Sequence, residues 1–268
     1  MKERAAAKSI EVVRLNERQA PAREPDEVAL EEPLEIQVEG RSIAVLMRTP
    51  GHDRELAAGF ALTESIIRSA EDIFEIITCP TTERPGNSVN IILRDPEQFD
   101  PKQLSRNFLS SSSCGICGKS SIEAAIQQFP PVSAAPLINA HTLLQLPAKL
   151  TAAQETFQRT GGLHACALFD RHGELLLLRE DVGRHNALDK LIGHQLLVKQ
   201  LPSGNCVLLL SGRVSFEMTQ KALAAGIAII AAISAPTSLA VEFARANNQT
   251  LVGFLRGETM NVYAGTVG

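Results

Sequence analysis

The fold is decided by a stretch that begins with Cys206-Val-Leu-Leu-Leu210 and continues into Gly226-Ile-Ala-Ile-Ile-Ala-Ala-Ile233. Both runs are continuously apolar and have the length of a strand, which is typical of strands buried on both faces of a parallel sheet. A third strand is predicted from Thr250 to Leu255. Apolar residues at helical spacing lie between the strands, at Ser215 to Ala225 and at Thr237 to Ala246. This alternation predicts an α/β layer structure with parallel pairing.

Upstream of this stretch, the pattern predicts a hairpin and two further helices. His164 to Asp170 and Glu174 to Arg179 alternate like the two strands of a hairpin. One helix is predicted before the hairpin, from Thr142 to Gln158, and another after it, from Arg184 to Gln195. Residues 141–268 are therefore expected to form an α/β lobe with a mixed sheet flanked by helices.

The first half of the chain predicts a smaller α+β lobe over residues 27–140. Its predicted elements are two strands, a helix and two more strands: Leu30–Val38, Ser42–Met47, Asp53–Arg68, Ile73–Cys79 and Ser88–Leu93. A helix is predicted from Ser120 to Phe129, close to the boundary between the two lobes, which we call the seam. Residues 1–26 are charged, contain two prolines and lack apolar periodicity, which predicts a mobile N-terminal segment.

The composition is that of an ordinary globular protein, with 44% hydrophobic and 21% charged residues among 268. A formal net charge of −4 argues against general nucleic-acid binding, which needs a basic surface. No apolar run has the length of a membrane span, and no apolar signal-peptide core follows the first charged residues. We therefore expect a cytoplasmic protein without a membrane association, whose five cysteines stay reduced.

Cys114-Gly-Ile-Cys117 is the candidate reactive centre. Four consecutive serines and two glycines surround it, so we predict that Asp100 to Gly118 forms a mobile loop. Lys119 and a helix start just downstream would lower the pKa of both thiols and increase the nucleophilic thiolate fraction. A thiolate on such a loop can take sulfur from a persulfide donor and pass it to an acceptor. The second thiol can assist this transfer or resolve the intermediate as a disulfide.

Two other uses of a CxxC pair remain open from the residues alone. A thioredoxin-like redox pair would need a βαβ context, which the surrounding sequence lacks. A zinc site needs four ligands, and His164 and Cys166 could complete the set across the seam. Against this, His164-Ala-Cys166 lies in an alternating strand pattern, where a buried histidine and a small buried cysteine are common. Cys79 and Cys206 lie in or beside apolar strands and are expected in the core.

Ligands of α/β sheets bind beyond the carboxyl ends of the strands. In this sequence those ends carry Arg184 and His185 at a helix start, Arg213 before another helix, and Arg256 after the last predicted strand. Guanidinium groups and helix N-termini suit an anionic ligand. Glu217, in the first turn of a predicted helix, could cap that helix or form a salt bridge.

Several ordered motifs resemble the formate dehydrogenase accessory sulfurtransferase family (FdhD), and the resemblance runs from about Asp26 to Tyr263. They are Thr49-Pro-Gly-His-Asp-Arg-Glu-Leu-Ala-Ala-Gly-Phe60, Ser112-Ser-Cys-Gly-Ile-Cys-Gly-Lys119, Glu180-Asp-Val-Gly-Arg-His-Asn-Ala-Leu-Asp-Lys190, Ser211-Gly-Arg213 with Glu217-Met218, and Leu251-Val-Gly-Phe254 with Asn261-Val-Tyr263. A CxxC alone is weak support for a family, whereas five motifs in order across the chain are strong support.

The resemblance implies a sulfur carrier required for formate dehydrogenase activity. Family members take sulfur from a cysteine desulfurase and pass it to the molybdenum or tungsten bis-pterin guanine dinucleotide cofactor before that cofactor enters formate dehydrogenase. A guanine nucleotide such as GDP would mimic the cofactor. The family fold resembles cytidine deaminases, and its members are homodimers. Here Cys114 would carry the persulfide and Cys117 would assist.

The resemblance also implies a cofactor contact at the segment Phe254, Leu255, Arg256, Gly257, Glu258 and Thr259, alongside the strand-end residues Arg184, His185 and Arg213. Two departures from the family pattern stand out. Glu258-Thr259 occupies a place where Gly-Arg is usual, which removes an expected phosphate contact and adds a charge that repels phosphate. Ser65 stands where glycine is usual, which we interpret as a change in helix propensity.

Three alternatives follow from these residues. Deaminase activity is rejected, because His164-Ala-Cys166 lacks the glutamate of the H-x-E signature and serine, not proline, precedes Cys114. A zinc-stabilised module that binds guanine nucleotide without sulfur transfer remains open. So does an assembly chaperone that binds the dehydrogenase and its cofactor.

Overall fold

The computed structural model describes residues 5–78, 86–99, 129–133 and 137–268. Within these ranges the strands are β1 Ala7–Asn16, β2 Gln19–Ala29, β3 Glu32–Val38, β4 Arg41–Arg48, β5 Ile73–Thr78, β6 Ser88–Leu93, β7 His164–Phe169, β8 Leu175–Asp181, β9 Val207–Leu210, β10 Ile229–Ala232, β11 Thr250–Arg256 and β12 Thr259–Ala264. The α-helices of the same ranges are α1 Asp53–Thr63, α2 Ala140–Ala153, α3 Glu155–Thr160, α4 Arg184–Leu197, α5 Phe216–Ala224 and α6 Ser238–Ala246.

The strands form three sheets. A six-stranded sheet has the order β12-β11-β10-β9-β7-β8, a four-stranded sheet has the order β4-β3-β6-β5, and β1 pairs with β2 alone. Parallel pairing in the large sheet is confined to β9, β10 and β11, where Leu208 pairs with Ile230 and Ile230 with Leu251. β7, β8 and β12 are antiparallel to their neighbours, so the sheet is mixed.

Both faces of the large sheet are covered, as the continuous apolar runs predict. Every residue of β9 and β10 is buried. On one face α2 packs against β7, β9, β10 and β11 through Leu143, Leu146 and Leu150. On the other face α4, α5 and α6 share a core with α1 and with the inner face of the four-stranded sheet. The two predicted lobes thus meet over one continuous core, and their division at residue 140 stays a prediction.

The crossing of α1 and α4 brings the two helix backbones into contact. A Cβ atom on Gly59 would overlap the carbonyl oxygen of Asp189, and one on Gly193 would overlap the carbonyl oxygen of Glu55. Polar contacts surround this crossing. Lys221 of α5 lies 2.9 Å from Asp189 and 2.8 Å from the Thr63 hydroxyl at the end of α1. The crossing of α1 and α4 is therefore held both by the close backbone contact at the two glycines and by the ion pair of Lys221 with Asp189.

The N-terminal residues contain regular structure that the sequence pattern did not reveal. β1 and β2 form a two-stranded antiparallel sheet over residues where we predict only a mobile segment. Nearly all of β1 is exposed on both faces, so no alternation of apolar and polar residues marks it as a strand. Ion pairs between Arg14 and Glu24 and between Arg23 and Glu11 link the strands instead. The mobility of residues 1–26 stays a prediction.

Two other elements differ from the prediction. The helix predicted to Gln158 is divided into α2 and α3 at Gln154, whose ψ of 71° interrupts the helical backbone. β12 was missed because its residues are mostly exposed. The predicted helix from Ser120 lies almost wholly outside the described residues, as do Cys79 and the Asp100–Gly118 loop.

The interpretation of Ser65 as a change in helix propensity is wrong, because Ser65 lies beyond the end of the helix. α1 ends at Thr63, and Ser65 beyond it has a φ of 59°, in the left-handed region. The Ser65 N–H donates to the Leu62 carbonyl at 3.0 Å and the Ile66 N–H to the Ala61 carbonyl at 2.8 Å. This geometry closes the last turn of the helix, and glycine is preferred at such a position because it lacks a Cβ.

Replacement of Ser65 by glycine is therefore expected to stabilise the protein. Removing the left-handed strain of a residue with a Cβ outweighs the extra freedom of glycine in the unfolded chain, for a gain of about 0.5–1 kcal/mol. Urea unfolding monitored by circular dichroism measures this difference. Ser65→Ala is the matched control, since it keeps the Cβ and should show no gain; an equal gain in both variants would contradict the explanation.

Candidate functional site at the strand ends

Four strands of the large sheet end at one edge, which we call the ligand edge. β9, β10 and β11 are parallel, and β8 points the same way because β7 is antiparallel to both β8 and β9. The helices α4, α5 and α6 begin at this edge, directly after β8, β9 and β10. Their first N–H groups carry partial positive charge that favours an anion. The prediction that these strand ends share one edge is confirmed.

His164 lies on the ligand edge as the first residue of β7, the strand next to the terminal strand β8, and is partly buried. Burial lowers the pKa of its imidazole, and the positive charges of Arg184, His185 and Arg213 lower it further, while Asp181 opposes them. The geometry places the segments that carry these residues beside β7. Asp181, three residues before Arg184, is the Cα partner of His164, and the Cys166 thiol lies 3.8 Å from the Arg184 carbonyl. A Cβ on Gly212, next to Arg213, would lie 3.3 Å from His164 Nδ1. The structure therefore brings together Arg184, His185 and Arg213, three of the predicted site residues, and adds His164. We call these four residues the His164 cluster.

Polar atoms in and beside the His164 cluster are incompletely paired. His185 Nε2 lies 2.8 Å from Glu217 Oε2, although the angle between them is outside hydrogen-bonding geometry. Glu217 thus forms the salt bridge that the sequence left open. Arg184 Nε is buried without a hydrogen-bond partner among the described residues, and so is the hydroxyl of Ser215, which precedes α5. Buried polar atoms of this kind usually indicate a ligand or water that completes their bonding.

The turn that carries Arg184 and His185 is fixed by the carboxylate of Asp181. This carboxylate is fully buried and accepts hydrogen bonds from the N–H of Gly183 at 2.8 Å and from the side chain of Asn186 at 3.0 Å. Its other oxygen lies 2.6 Å from Lys190 Nζ and accepts from the N–H of Thr49 at 3.1 Å. Lys190 also donates to the Thr49 carbonyl at 2.8 Å. The turn is therefore attached to the segment that joins β4 to α1.

The predicted cofactor segment forms the end of β11 and its turn into β12. Phe254 has a φ of 52°, and its N–H donates to the carbonyl of Ser234 at 3.0 Å. The guanidinium of Arg256 lies 5.5 Å from the centre of the Phe254 ring. Leu255 is fully buried in the core, so only its backbone could contact a ligand. The exposed residues of the turn are Gly257, Glu258 and Thr259.

This turn lies on the ligand edge but away from the His164 cluster. β11 is separated from β7 by two strands, which corresponds to about 14 Å at ordinary strand spacing. The predicted site residues therefore form two groups along one edge. An elongated ligand could contact both groups, whereas a small one could contact only one.

The two cysteines within the described residues, Cys166 and Cys206, are wholly or partly buried, as the sequence predicts. Cys114 and Cys117 lie outside the described residues. Cys166 is buried, its thiol lies 3.8 Å from the Arg184 carbonyl, and burial raises its pKa. Cys206 is partly buried, and burial raises its pKa as well. The described part of the chain contains no group of three potential metal ligands.

The fold and the ligand edge define a mixed α/β protein whose cationic side chains gather beside three helix N-termini at the strand ends. Comparison with known families narrows this class. The model of the FdhD/NarQ family matches residues 29–267, and the chain belongs to this family. The resemblance inferred from the motifs is confirmed.

Curated relatives match over most of their length. The sulfur carrier protein FdhD of Streptomyces avermitilis is 49% identical, over 90% of this chain and 88% of the relative. The protein of the same name from Mycolicibacterium paratuberculosis is 48% identical, over 94% of each chain. A crystal structure described as a formate dehydrogenase accessory protein from Desulfotalea psychrophila has a TM-score of 0.76 and 25% identity, covering 97% of this chain and 98% of that one.

This similarity covers 97% of the chain, which supports the mixed α/β architecture as a whole. The specific likeness of residues 141–268 to cytidine deaminases stays a prediction. Among the residues that the structure describes, no helix is long and apolar enough to cross a membrane.

Proposed function

We propose that this protein is a sulfur carrier that serves formate dehydrogenase. The observation that carries the proposal is the family match over residues 29–267, which contains Cys114 and Cys117, together with relatives named as sulfur carriers at nearly half identity. A cysteine desulfurase as donor, a homodimeric state and a cytoplasmic location belong to the same proposal.

The first step transfers a sulfur atom to Cys114. The Cys114 thiolate attacks the outer sulfur of the donor's cysteine persulfide, and a new S–S bond forms on Cys114. The S–S bond of the donor breaks, and the donor cysteine leaves as a thiolate. The exchange needs no external oxidant or reductant, because one persulfide replaces another.

The second step releases the sulfur to the acceptor. Attack of the Cys117 thiolate on the inner sulfur of the Cys114 persulfide forms a Cys114–Cys117 disulfide and releases sulfide. The two cysteines supply the two electrons that reduce the transferred sulfur. A thiol reductant must then cleave the disulfide before another cycle begins.

The acceptor in this proposal is the molybdenum or tungsten bis-pterin guanine dinucleotide cofactor, bound as a substrate at the ligand edge. Its phosphate groups suit the His164 cluster and the helix N-termini. Arg184 Nε, which has no hydrogen-bond partner in the part of the chain that the structure describes, is a donor available to them. The separation of about 14 Å between the cluster and the Arg256 turn suits an elongated dinucleotide. Glu258 lies in that turn and would repel phosphate, so we assign the phosphates to the His164 cluster.

The sulfur-carrier proposal predicts a persulfide on Cys114. After incubation with a cysteine desulfurase and cysteine, intact mass spectrometry should show the mass of one added sulfur atom on the wild-type protein. Cys114→Ala should lose the adduct, because it removes the attacking thiolate. Cys117→Ala should keep the adduct but release no sulfide, because it lacks the resolving thiol.

Cys206→Ala is the matched control, since it removes a partly buried thiol outside the CxxC pair and should load normally. Sulfur bound equally to a Cys114→Ala/Cys117→Ala variant would contradict the proposal. Rescue of formate dehydrogenase activity by that double variant would favour an assembly chaperone. One zinc ion per chain, lost in Cys114→Ser together with stability, would favour a zinc-stabilised nucleotide-binding module.

A further inference from the structure

His164 has a position that the proposed cysteine chemistry does not use. It begins β7, and its Cα partner across the sheet is Asp181 at the end of β8. The residue therefore lies where the strand ends converge, between the start of α4 and the segment that follows β9. Gly212 of that segment lies beside the ring, since a Cβ at this glycine would come within 3.3 Å of His164 Nδ1. The absence of a Cβ leaves space at one ring nitrogen.

The hydrogen-bonding capacity of the His164 ring is unused within the described residues. Neither ring nitrogen has a hydrogen-bond partner there, and neither is among the fully buried polar atoms. A neutral imidazole has one donor and one acceptor nitrogen, and both remain available to a molecule from solvent. A ligand that binds here can take the place of water at these nitrogens.

The charged groups that influence the pKa of His164 belong to three neighbouring segments of the described chain. Arg184 and His185 approach from α4, Arg213 from the segment after β9, and Asp181 from β8. Burial and the three positive groups favour the neutral ring, against the single negative charge of Asp181. An anion bound among the positive groups would offset their repulsion. The ring could then accept a proton from solvent and become a charged donor to the same anion.

We propose that His164 is a further ligand-contacting residue of the ligand edge, which binds a phosphate group of the anionic ligand and takes up a proton from solvent as the ligand binds. This inference rests on the proposed function, because it names a contact and a proton coupling for the acceptor site of the sulfur carrier. The bonding partners are the ring nitrogen beside Gly212 and a phosphate oxygen.

The test measures binding of GDP as the probe, by isothermal titration calorimetry near pH 6.5. Titrations in two buffers with different ionisation enthalpies give the number of protons taken up per GDP bound. Any proton exchange by GDP itself is common to all variants, so the difference between wild type and variant reports His164. The same preparations are also tested for persulfide formation by intact mass.

Two substitutions distinguish the hydrogen bond between His164 and the ligand from the proton uptake by the His164 ring. His164→Phe keeps a ring of similar size but no polar atom, and should weaken GDP binding about tenfold or more. His164→Gln keeps a hydrogen-bonding side chain that does not titrate, so it should retain more affinity than His164→Phe while proton uptake falls. His172→Gln is the matched control, because His172 lies in the β7–β8 turn at the opposite edge of the sheet and should bind as wild type.

GDP affinity unchanged in His164→Phe, or proton uptake unchanged in His164→Gln, would overturn the proposal. Equal thermal unfolding of the variants and wild type shows that a lost affinity is local. If the wild type binds no GDP, this inference is overturned, whereas a persulfide on the same sample still supports the sulfur carrier. Absence of the persulfide from a wild-type protein that binds GDP would instead overturn the proposed sulfur transfer.

Discussion

Gly193→Ala is expected to lower the free energy of unfolding by about 3–5 kcal/mol. The added Cβ would overlap the carbonyl oxygen of Glu55 and come within 2.7 Å of the Gly59 nitrogen, both of which are backbone atoms of α1. Neither can move aside as a flexible side chain could, so α1 and α4 must separate. The gain in helix propensity from alanine, about 1 kcal/mol, is smaller than this cost.

Chemical unfolding in urea measures the loss, with the slope of the transition showing whether unfolding remains cooperative. Gly204→Ala is the matched control. A Cβ there would meet only the Gly226 carbonyl oxygen, at an ordinary 3.5 Å, so its effect should stay below about 1 kcal/mol. Equal stability of the Gly193→Ala and Gly204→Ala proteins would contradict the close helix crossing.

Lys190→Met is expected to destabilise the protein by about 3–5 kcal/mol, because it removes one partner of a buried ion pair. Lys190 is 1% exposed and Asp181 is fully buried, with 2.6 Å between the ammonium nitrogen and the carboxylate. Methionine preserves the apolar stem but leaves the Asp181 charge without its cation. The Thr49 carbonyl also loses a donor. Thermal and urea unfolding of the two proteins measure the difference.

Lys199→Met provides a matched exposed control. Lys199 lies 3.1 Å from Glu71, but the two side chains are 71% and 67% exposed, so solvent screens their attraction. This substitution should cost less than about 1 kcal/mol. In Lys190→Met/Asp181→Asn, removal of both charges should recover part of the stability lost in Lys190→Met. No recovery would show that the ion pair is not the cause of the loss.

Lys190→Met should also affect the ligand edge, because Asp181 positions the turn that carries Arg184 and His185. Loss of the Lys190 contacts with Asp181 and with the Thr49 carbonyl loosens the attachment of this turn, and binding of an anion at the His164 cluster should weaken with it. Sulfur loading of Cys114 should not depend on this turn in the same way. The two measurements therefore distinguish the proposed acceptor site from the proposed carrier cysteines.

Particular elements show how far the sequence could predict the structure. The continuous apolar runs of β9 and β10 show within a short stretch of sequence that these strands are buried. The helical spacing of apolar residues does the same for α4, α5 and α6. All five elements were predicted with small boundary errors. β1, β2 and β12 are exposed strands without a period of two, and the prediction missed them. Ser65 was assigned to a helix because helical spacing continues to Ile66, whereas a left-handed residue had already ended the helix.

The candidate site was predictable in the same limited way. A shared edge for Arg184, His185, Arg213 and Arg256 follows from the rule that parallel strands end together. The prediction could not separate them into two groups, because strand order is not readable from the order of the elements in the chain. From the sequence, His164 was considered only as a zinc ligand or a buried strand residue, since a histidine in an alternating strand pattern does not reveal which edge its strand begins at. Its position at the start of β7 was the signal that could have indicated it.

The sequence by itself determined the family, the alternation of strands and helices, and the pair Cys114 and Cys117 as the reactive candidates. Local patterns and short motifs carry this information, because they report backbone periodicity and chemical groups close together in the chain. Only the tertiary structure decided that Gly193 contacts α1, that Lys190 reaches Thr49, and that His164 lies among three cationic side chains. These contacts join residues far apart in sequence, and their geometry depends on how whole elements pack rather than on any local pattern.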